Sequence, residues 1–199
     1  MSTTTNFWTV APTQDPKRGF RFRVQVTGLD EGGFLWYAKK CEKPAVSFTE
    51  ASHSYLNHTY YWPARAEWNE VSITFVDPVN PDVAGRMGAL LQAGGYHIPG
   101  GIAEESDWAT MSKTSAASAL GSVIIEQISE GDPGLAAAGE PKVLEQWTLN
   151  NAWVKEATFG ELDYSSDELM ELTLKFRYDW ATFKATGDNE AVFVGPGAS

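Results

Sequence analysis

The sequence contains a single cysteine, Cys41, among its 199 residues. One thiol cannot form an internal disulfide, so cysteine usage gives no support for secretion and fits assembly in a reducing cytoplasm. A chain of this length needs no disulfide to fold, because it buries roughly 70% of the surface that its unfolded form exposes. We therefore expect one domain over residues 1–199, with a hydrophobic core of its own.

Long apolar runs and basic residues are also scarce. No run approaches the roughly 20 apolar residues of a membrane helix, and the first residues lack the basic and apolar regions of a signal peptide. The sequence therefore predicts a soluble protein without membrane insertion. Its 15 basic residues against 26 acidic ones give a net charge of −11, which argues against a protein that grips nucleic-acid phosphates. An acidic protein can still guide nucleic acid by repelling it.

Signatures of catalysis are missing as well. The sequence has no Walker loop, no Gly-x-Gly-x-x-Gly fingerprint and no Gly-x-Ser-x-Gly elbow. His53 and His58 have opposite parity along one predicted strand, which makes them a poor metal pair. Carboxylates are frequent on the predicted strands, as in β-jelly-roll glycosidases, but in an acidic β protein most such groups are solvated. We predict no catalytic residue, no cofactor and no metal site.

What the sequence has in abundance is alternation of apolar and polar residues. This period of two predicts half-buried strands, and because one face of each is polar, the sheets are expected to be antiparallel. In the longest regular run, Trp180 is predicted to share an apolar face with Leu172 and Phe176. The regular strands are predicted at 19–26, 71–76 and 169–180, and less regular ones at 34–41, 45–61, 122–129 and 143–158.

One helix is predicted on a sheet surface. Asn80 is a good N-cap, Pro81 suits the first helical position, and the Gly94-Gly95 pair ends the helix. Two internal glycines, Gly85 and Gly88, weaken the helix but would allow close approach to the surface beneath it. Its apolar stripe consists of Val83, Met87, Leu90 and Leu91.

Three segments rich in small and turn-forming residues are predicted to be loops rather than further domains. They are residues 95–121, residues 130–142 and the C-terminal tail 184–199. Within the first, residues 107–119 are compatible with a short helix capped by Asp107. Long two-faced strands without a catalytic constellation leave sheet edges that must be paired or covered. A head-to-tail interface between copies would pair them, closing into a ring or stacking into a filament.

The C-terminal half carries a resemblance to a known family. Three stretches follow one another: Val143-Leu-Glu-Gln-Trp-Thr-Leu-Asn-Asn-Ala-Trp-Val, Phe159-Gly-Glu-Leu-Asp-Tyr-Ser-Ser-Asp-Glu and Leu172-Thr-Leu-Lys-Phe-Arg-Tyr-Asp-Trp. Their order resembles the ending of tail tube proteins of contractile-tailed, T-even-like bacteriophages. Earlier strands and the helix follow the same order, so that the resemblance extends over residues 18–182.

The resemblance implies a mainly β fold, an antiparallel β-sandwich or distorted barrel with one flanking α-helix. Six copies would form a ring, strands from all six would close an inner barrel around a lumen, and rings would stack inside a contractile sheath. The implied partners are the chain itself, the tail sheath, tape measure, baseplate and tail terminator proteins, and double-stranded DNA in transit without specific binding. The implied location is the tail tube of a virion assembled in the host cytoplasm.

Other functions stay open at this stage. The chain could form the tube of a related contractile injection or secretion system, or a baseplate tube initiator. A reading from a different class is an aromatic-rich carbohydrate-binding β-sandwich, which would stay monomeric.

Two sets of residues are the candidates for assembly and transport. One set is expected to line the lumen as carboxylates that repel DNA, with outward-facing solvation as the alternative. The other is expected to pack on a neighbouring copy from a long hairpin arm, with the chain's own core as the alternative. The lumen candidates are Glu50, Glu126, Glu145 and Glu156, and the stacking candidates are Tyr55, Tyr60, Tyr61 and Trp62.

Overall fold

The computed structural model describes residues 17–29, 35–97, 110–129, 141–165 and 167–185. These ranges contain ten strands and two helices. In chain order they are β1 (Phe22–Val26), β2 (Ala38–Cys41), β3 (Val46–Tyr55), β4 (His58–Trp68), β5 (Val71–Val76), α1 (Val83–Ala93), α2 (Lys113–Leu120), β6 (Val123–Ile128), β7 (Val143–Asn150), β8 (Trp153–Thr158), β9 (Glu171–Arg177) and β10 (Trp180–Ala185).

Eight of the strands form two four-stranded sheets. The first sheet has the order β1-β6-β7-β10, and the second has the order β2-β5-β9-β8. Strands β3 and β4 pair only with each other, as a two-stranded hairpin that we call the arm. Every pairing is antiparallel, which confirms the predicted mainly β, antiparallel class.

The core lies between the apolar faces of the two sheets. Because the side chains of a strand alternate between faces, every second residue is buried in β5 and along most of β1 and β9. Removing such a side chain from water contributes about 1.5–3 kcal/mol. The buried residues include Val24, Ile125 and Leu149 of the first sheet and Ile73, Leu174 and Phe176 of the second.

The strand predicted at 169–180 is divided in two. β9 ends at Arg177, and the backbone N–H of Asp179 donates to the carbonyl of Asn150 at 3.1 Å. This bond turns the chain out of the second sheet, so that Trp180 begins β10 in the first sheet. Trp180 is 37% exposed, and the prediction that it shares the face of Leu172 is wrong.

Two more predicted strands are hairpins. The segment 45–61 turns at Leu56, and the segment 143–158 turns at Asn151; both residues have a φ of +53°. The first turn places His53 and His58 on different strands, where the pairing of Tyr55 with His58 puts both histidines on one face. The predicted opposite orientation of the two histidines is therefore wrong.

Helix α1 begins two residues later than predicted. Asp82 is the N-cap in place of Asn80, and its Oδ1 accepts from the Gly85 N–H at 2.9 Å. Gly94 is the C-cap, as expected. A Cβ on Gly88 would meet no atom within 4 Å, so this glycine serves no close approach to the sheet. The buried stripe is Val83, Met87 and Leu90.

A second helix corrects the prediction of one flanking helix. α2 begins after Ser112, whose hydroxyl accepts from the Ser115 N–H at 3.1 Å while the Ser115 hydroxyl accepts from the Ser112 N–H at 3.3 Å. This reciprocal box satisfies two backbone donors at the helix start. The predicted cap, Asp107, lies outside the described residues, as do 130–140 and 186–199 of the other predicted loops. Lys184, placed in the predicted tail, belongs to β10.

Two glycine substitutions are expected to change stability in opposite directions. Gly88→Ala should raise the free energy of unfolding by about 0.5–1 kcal/mol, because alanine is the better helix former and the site is open. Gly160→Ala should lower it by about 1–3 kcal/mol, because φ there is +81° and the new Cβ would lie 2.4 Å from the Glu171 carbonyl oxygen. Urea titrations of both variants measure the difference, and equal effects would contradict the described backbone.

Candidate assembly surfaces

The arm is almost entirely exposed. Its strands of 10 and 11 residues extend about 30 Å at ~3.3 Å per residue, and the side chains are part-buried only at Val46, Thr59 and Trp68. Its base is fixed to the body, since the Trp68 ring lies 6.0 Å from the ring of Tyr178. A two-stranded hairpin is marginally stable in water on its own. Beyond its base, the arm is thus not covered by any other described part of the chain.

The register of β3 and β4 divides the arm into two faces. We call one the aromatic face, because rings follow one another along β4, with His58 and Tyr60 centroids 4.7 Å apart and Tyr60 and Trp62 centroids 6.3 Å apart. Tyr61 pairs with Ser52 on the opposite face. The aromatic face consists of His53, Tyr55, His58, Tyr60 and Trp62.

The four stacking candidates all lie on this arm. Tyr55 and Tyr61 are each 63% exposed, Trp62 is 50% and Tyr60 is 48% exposed. None of them belongs to the core cluster of the described residues, so the alternative that they fill this chain's own core does not hold there. Three of the four share the aromatic face, and Tyr61 does not.

Two of the lumen candidates are buried and lie on opposite faces of the first sheet. In the β6–β7 register Glu126 pairs with Gln146, and Gln127 pairs with Glu145. Because neighbouring positions alternate, Glu145 points toward the inner face and Glu126 toward the outer one. The outer carboxylate is bound by the Arg23 guanidinium and accepts from Gln146 Nε2 at 3.2 Å. One face of this sheet can present only one of the two acids.

Glu145 is held by two lysines. Its carboxylate forms ion pairs with Lys43 and, at 3.2 Å, with Lys17. Burial alone would raise the pKa of Glu145, but the hydrogen bonds from both ammonium groups outweigh it and keep the pKa below its usual value. The group is therefore charged at neutral pH and already neutralised by its partners.

The other two lumen candidates lie elsewhere. Glu156, on β8 of the second sheet, accepts from Lys175 Nζ at 2.9 Å through both oxygens. Glu50 is exposed on the arm, on the face opposite the aromatic one, and no ion pair of the described residues includes it. The structure thus places the four acids on four separate surfaces of one chain.

A further surface was not foreseen from the sequence. A cavity of about 690 Å³ opens between β1 and β2, which are edge strands of the two different sheets. We call it the lysine cleft, because four exposed lysines line it above half-buried or buried apolar side chains. The only sequence signal is the cluster of lysines at 39, 40 and 43 in an acidic chain. The lysines are Lys17, Lys39, Lys40 and Lys43, and the apolar lining includes Phe22, Ile125 and Trp147.

The described ranges contain neither a metal-binding cluster nor a membrane-spanning helix. No group of three or more His, Cys, Asp or Glu side chains there is arranged to hold a metal ion. Neither described helix has the length and apolar content needed to cross a membrane. Cys41 is the one free thiol, and burial raises its pKa to about 12, which makes it a poor nucleophile at neutral pH.

No family model matches the sequence, and no curated protein matches it. Its fold, however, is similar to chains of contractile injection particles. A chain in the cryo-EM structure of the anti-feeding prophage baseplate superposes with a TM-score of 0.59 at 12% identity, covering 86% of this chain and 97% of that one. A chain in the sheath-tube complex of the extracellular contractile injection system PVC gives 0.58 at 12% identity, covering 87% and 95%.

A third similar chain belongs to the cap that terminates the anti-feeding prophage tube. It superposes with a TM-score of 0.59 at 13% identity and covers 94% of this chain and all of that one. At these identities the likeness concerns the fold. It extends over nearly the whole of each compared chain, so the fold as a whole is shared rather than one supersecondary motif.

Replacing Glu145 is expected to test the buried ion pairs. Glu145→Gln keeps the shape but removes the charge, and should lower the free energy of unfolding by about 1–2 kcal/mol at pH 7, since both lysines remain half exposed and hydrated. The folded-state pKa is lowered, so the contribution is present at neutral pH and is lost as pH falls through that pKa. Urea titrations from pH 7 to pH 3 should show the two proteins converging; a constant difference would contradict the assignment.

Proposed function

We propose that this chain is the tube subunit of a contractile, tail-like particle, in which six copies close a ring and rings stack into a conduit. The exposed arm is the observation that carries the proposal. An arm of this length, whose aromatic face stays exposed among the described residues, fits a protein whose stable state is an assembly.

The shared fold supports the same proposal. Each of the compared chains is matched over almost its full length, and each comes from a particle described as a baseplate, a sheath-tube complex or a tube cap. A carbohydrate-binding module, the alternative from another class, gains no support from this likeness.

Ring closure would use the edges of the first sheet. Its strands alternate in direction, so β10 of one copy can pair antiparallel with β1 of the next, and six four-stranded sheets can close into one barrel. The edge of β1 is partly used already, because the Val24 carbonyl accepts from the Leu35 N–H at 2.8 Å. The junction is therefore expected near Phe22 rather than along the whole strand.

Stacking would use the arm. Its aromatic face has the composition of an interface centre, in which tyrosine and tryptophan supply large apolar area with few rotatable bonds. We expect Tyr55, Tyr60 and Trp62 to contact an adjacent ring. Tyr61, on the other face, is expected to contribute less.

The finer function that we propose is the tail tube of a bacteriophage, with double-stranded DNA as the cargo. The net charge of −11 suits a conduit that must not bind DNA, since every basic group presented to phosphate adds affinity. Tail sheath, tape measure, baseplate and terminator proteins would be its partners in the virion. Of the four acids, Glu50 is the best remaining candidate for a charge that faces the lumen, because it is exposed and not neutralised by a described partner.

The tube of an injection particle is the second candidate, and the compared structures favour it. They belong to the anti-feeding prophage and to an extracellular contractile injection system. Both candidates require the same ring and the same stack, and differ in the cargo. Particles purified from the producing cell separate them, because a phage tube joins a DNA-filled head and an injection particle does not.

The arm is tested by a double substitution with a matched control. Tyr55→Ala/Tyr60→Ala should leave the fold intact, because both side chains are exposed, but should raise the concentration needed for assembly at least about tenfold, the equivalent of ~1.4 kcal/mol. Tyr61→Ala, an equally exposed tyrosine on the opposite face, is the control. Sedimentation velocity and negative-stain microscopy measure the effect; assembly of the double variant at wild-type concentrations would remove the arm from the stack.

The charge of the lumen is tested at Glu50. In a phage carrying Glu50→Lys, tubes of normal length are expected, since this exposed side chain has no described ion pair to lose. DNA ejection should be slowed, because six lysines per ring would attract phosphate at distances below the screening length of about 8 Å. Lys142→Glu, which changes an exposed charge outside the arm, is the control. Ejection kinetics equal to the wild type would rule out a lumen position for Glu50.

A further inference from the structure

Among the described residues, the four lysines of the lysine cleft outnumber the carboxylates that pair with them. Lys17 and Lys43 reach inward to the buried Glu145, and Lys39 pairs with Glu171. Lys40 lines the same cavity, is exposed, and has no ion pair among the described residues. The cleft thus has positively charged side chains at its opening and apolar side chains beneath them.

Another part of the chain has the opposite character. We call residues 159–165 and 167–171, which run from the end of β8 to the first residue of β9, the acidic loop. They contain five carboxylates and no lysine or arginine, and their apolar side chains are strongly exposed: Leu162 by 86%, Leu169 by 71% and Tyr164 completely. Such exposure of large apolar groups among like charges is costly unless a partner covers them. The carboxylates are Glu161, Asp163, Asp167, Glu168 and Glu171.

The loop is shaped rather than extended. The carboxylate of Asp163 accepts from the Ser165 backbone N–H at 2.9 Å and from its hydroxyl at 2.8 Å, which closes a tight turn. Gly160, with φ of +81°, sets the direction in which the loop leaves β8. On this turn Leu162 lies between Glu161 and Asp163, and Tyr164 follows Asp163.

We propose that the acidic loop of one copy occupies the lysine cleft of a neighbouring copy. Acidic and apolar side chains alternate from Glu161 to Tyr164, which matches a cleft with lysines at its opening and apolar side chains beneath them. The cleft volume of about 690 Å³ accommodates a few side chains. Within the single chain only Glu171 of the loop reaches the cleft, where it pairs with Lys39, while Leu162 and Tyr164 stay exposed. The proposal rests on the proposed self-assembly and names one of its contacts.

The contact is head-to-tail, because it joins two different patches, and such contacts extend from copy to copy. It differs from the arm contact in its physics. Charge steers the loop and fixes its register, while Leu162 and Tyr164 provide the apolar area. Its strength is therefore expected to fall with salt, since most of these charges lie at the surface.

Two charge-reversal variants test the contact. The cleft variant is Lys40→Glu, and the loop variant is Glu161→Lys/Asp167→Lys. None of these side chains has a described ion pair, so both variants are expected to fold, which circular dichroism and urea titration verify. Each alone should need at least about tenfold more protein to assemble, because like charges then face each other at every contact.

Mixing the two variants gives the decisive result. The charges reversed in the loop of one variant match the charge reversed in the cleft of the other, and the unchanged loop matches the unchanged cleft in return, so an equimolar mixture should assemble at close to the wild-type concentration with the variants alternating. Lys142→Glu is the control for the cleft variant, because it reverses an exposed lysine that does not line the cleft. It should assemble as the wild type does.

The outcomes separate this contact from the proposed function. Suppose that the wild type forms rings or tubes. If the variants then assemble normally, or if their mixture assembles no better than either variant alone, the contact is overturned and the proposed tube is not affected. Rescue in the mixture supports the contact. A wild type that never assembles contradicts the proposed function; binding of a labelled 159–171 peptide to the wild type, lost in Lys40→Glu, then decides whether the cleft takes the loop.

Discussion

Pairing of strands with strands is the constraint on which this structure depends. The two four-stranded sheets and both helices share one buried core, whereas the strands of the arm pair only with each other. In a hairpin of this length, main-chain hydrogen bonds alone do not offset the conformational entropy that is lost when the strands become ordered. In the proposed assembly, burial of Tyr55, Tyr60 and Trp62 against another copy would supply apolar area, about 1.5–3 kcal/mol for each large side chain fully removed from water.

The distribution of charge follows from the same arrangement. Where carboxylates approach the sheets they are matched by cations of the same chain, as Glu145 is by two lysines and Glu156 by Lys175. Acids without a described ion pair include Glu161 and Asp167 of the acidic loop and Glu50 of the arm. In a tube, projecting parts meet neighbours or the lumen, so the excess negative charge lies where it can select a contact or repel a polyanion.

The sequence predicts the elements better than their arrangement. Alternation alone locates β5, whose Val71, Ile73 and Phe75 are fully buried as expected. It misses the turns at Leu56 and Asn151, because neither contains the glycine or proline that marks a turn, and both take a left-handed conformation that the pattern does not encode. The two strands that flank such a turn are therefore predicted as one long strand.

The positions of the candidate residues have a related explanation. The aromatic residues of the arm are exposed, and their contact with another copy stays a prediction. The faces that Glu126 and Glu145 occupy depend on the register of β6 with β7, which the strand limits predicted from the sequence do not fix. The lysine cleft could not be foreseen at all, because it joins edge strands of two different sheets.

The most direct test of the account is the state of the purified wild-type protein as a function of concentration. Sedimentation velocity combined with negative-stain microscopy should show a transition from single chains to six-membered rings and then to smooth-walled tubes as concentration rises. A protein that sediments as a single chain at every concentration, and gives no rings or tubes at high protein concentration, would contradict the claim that its arm is completed by another copy.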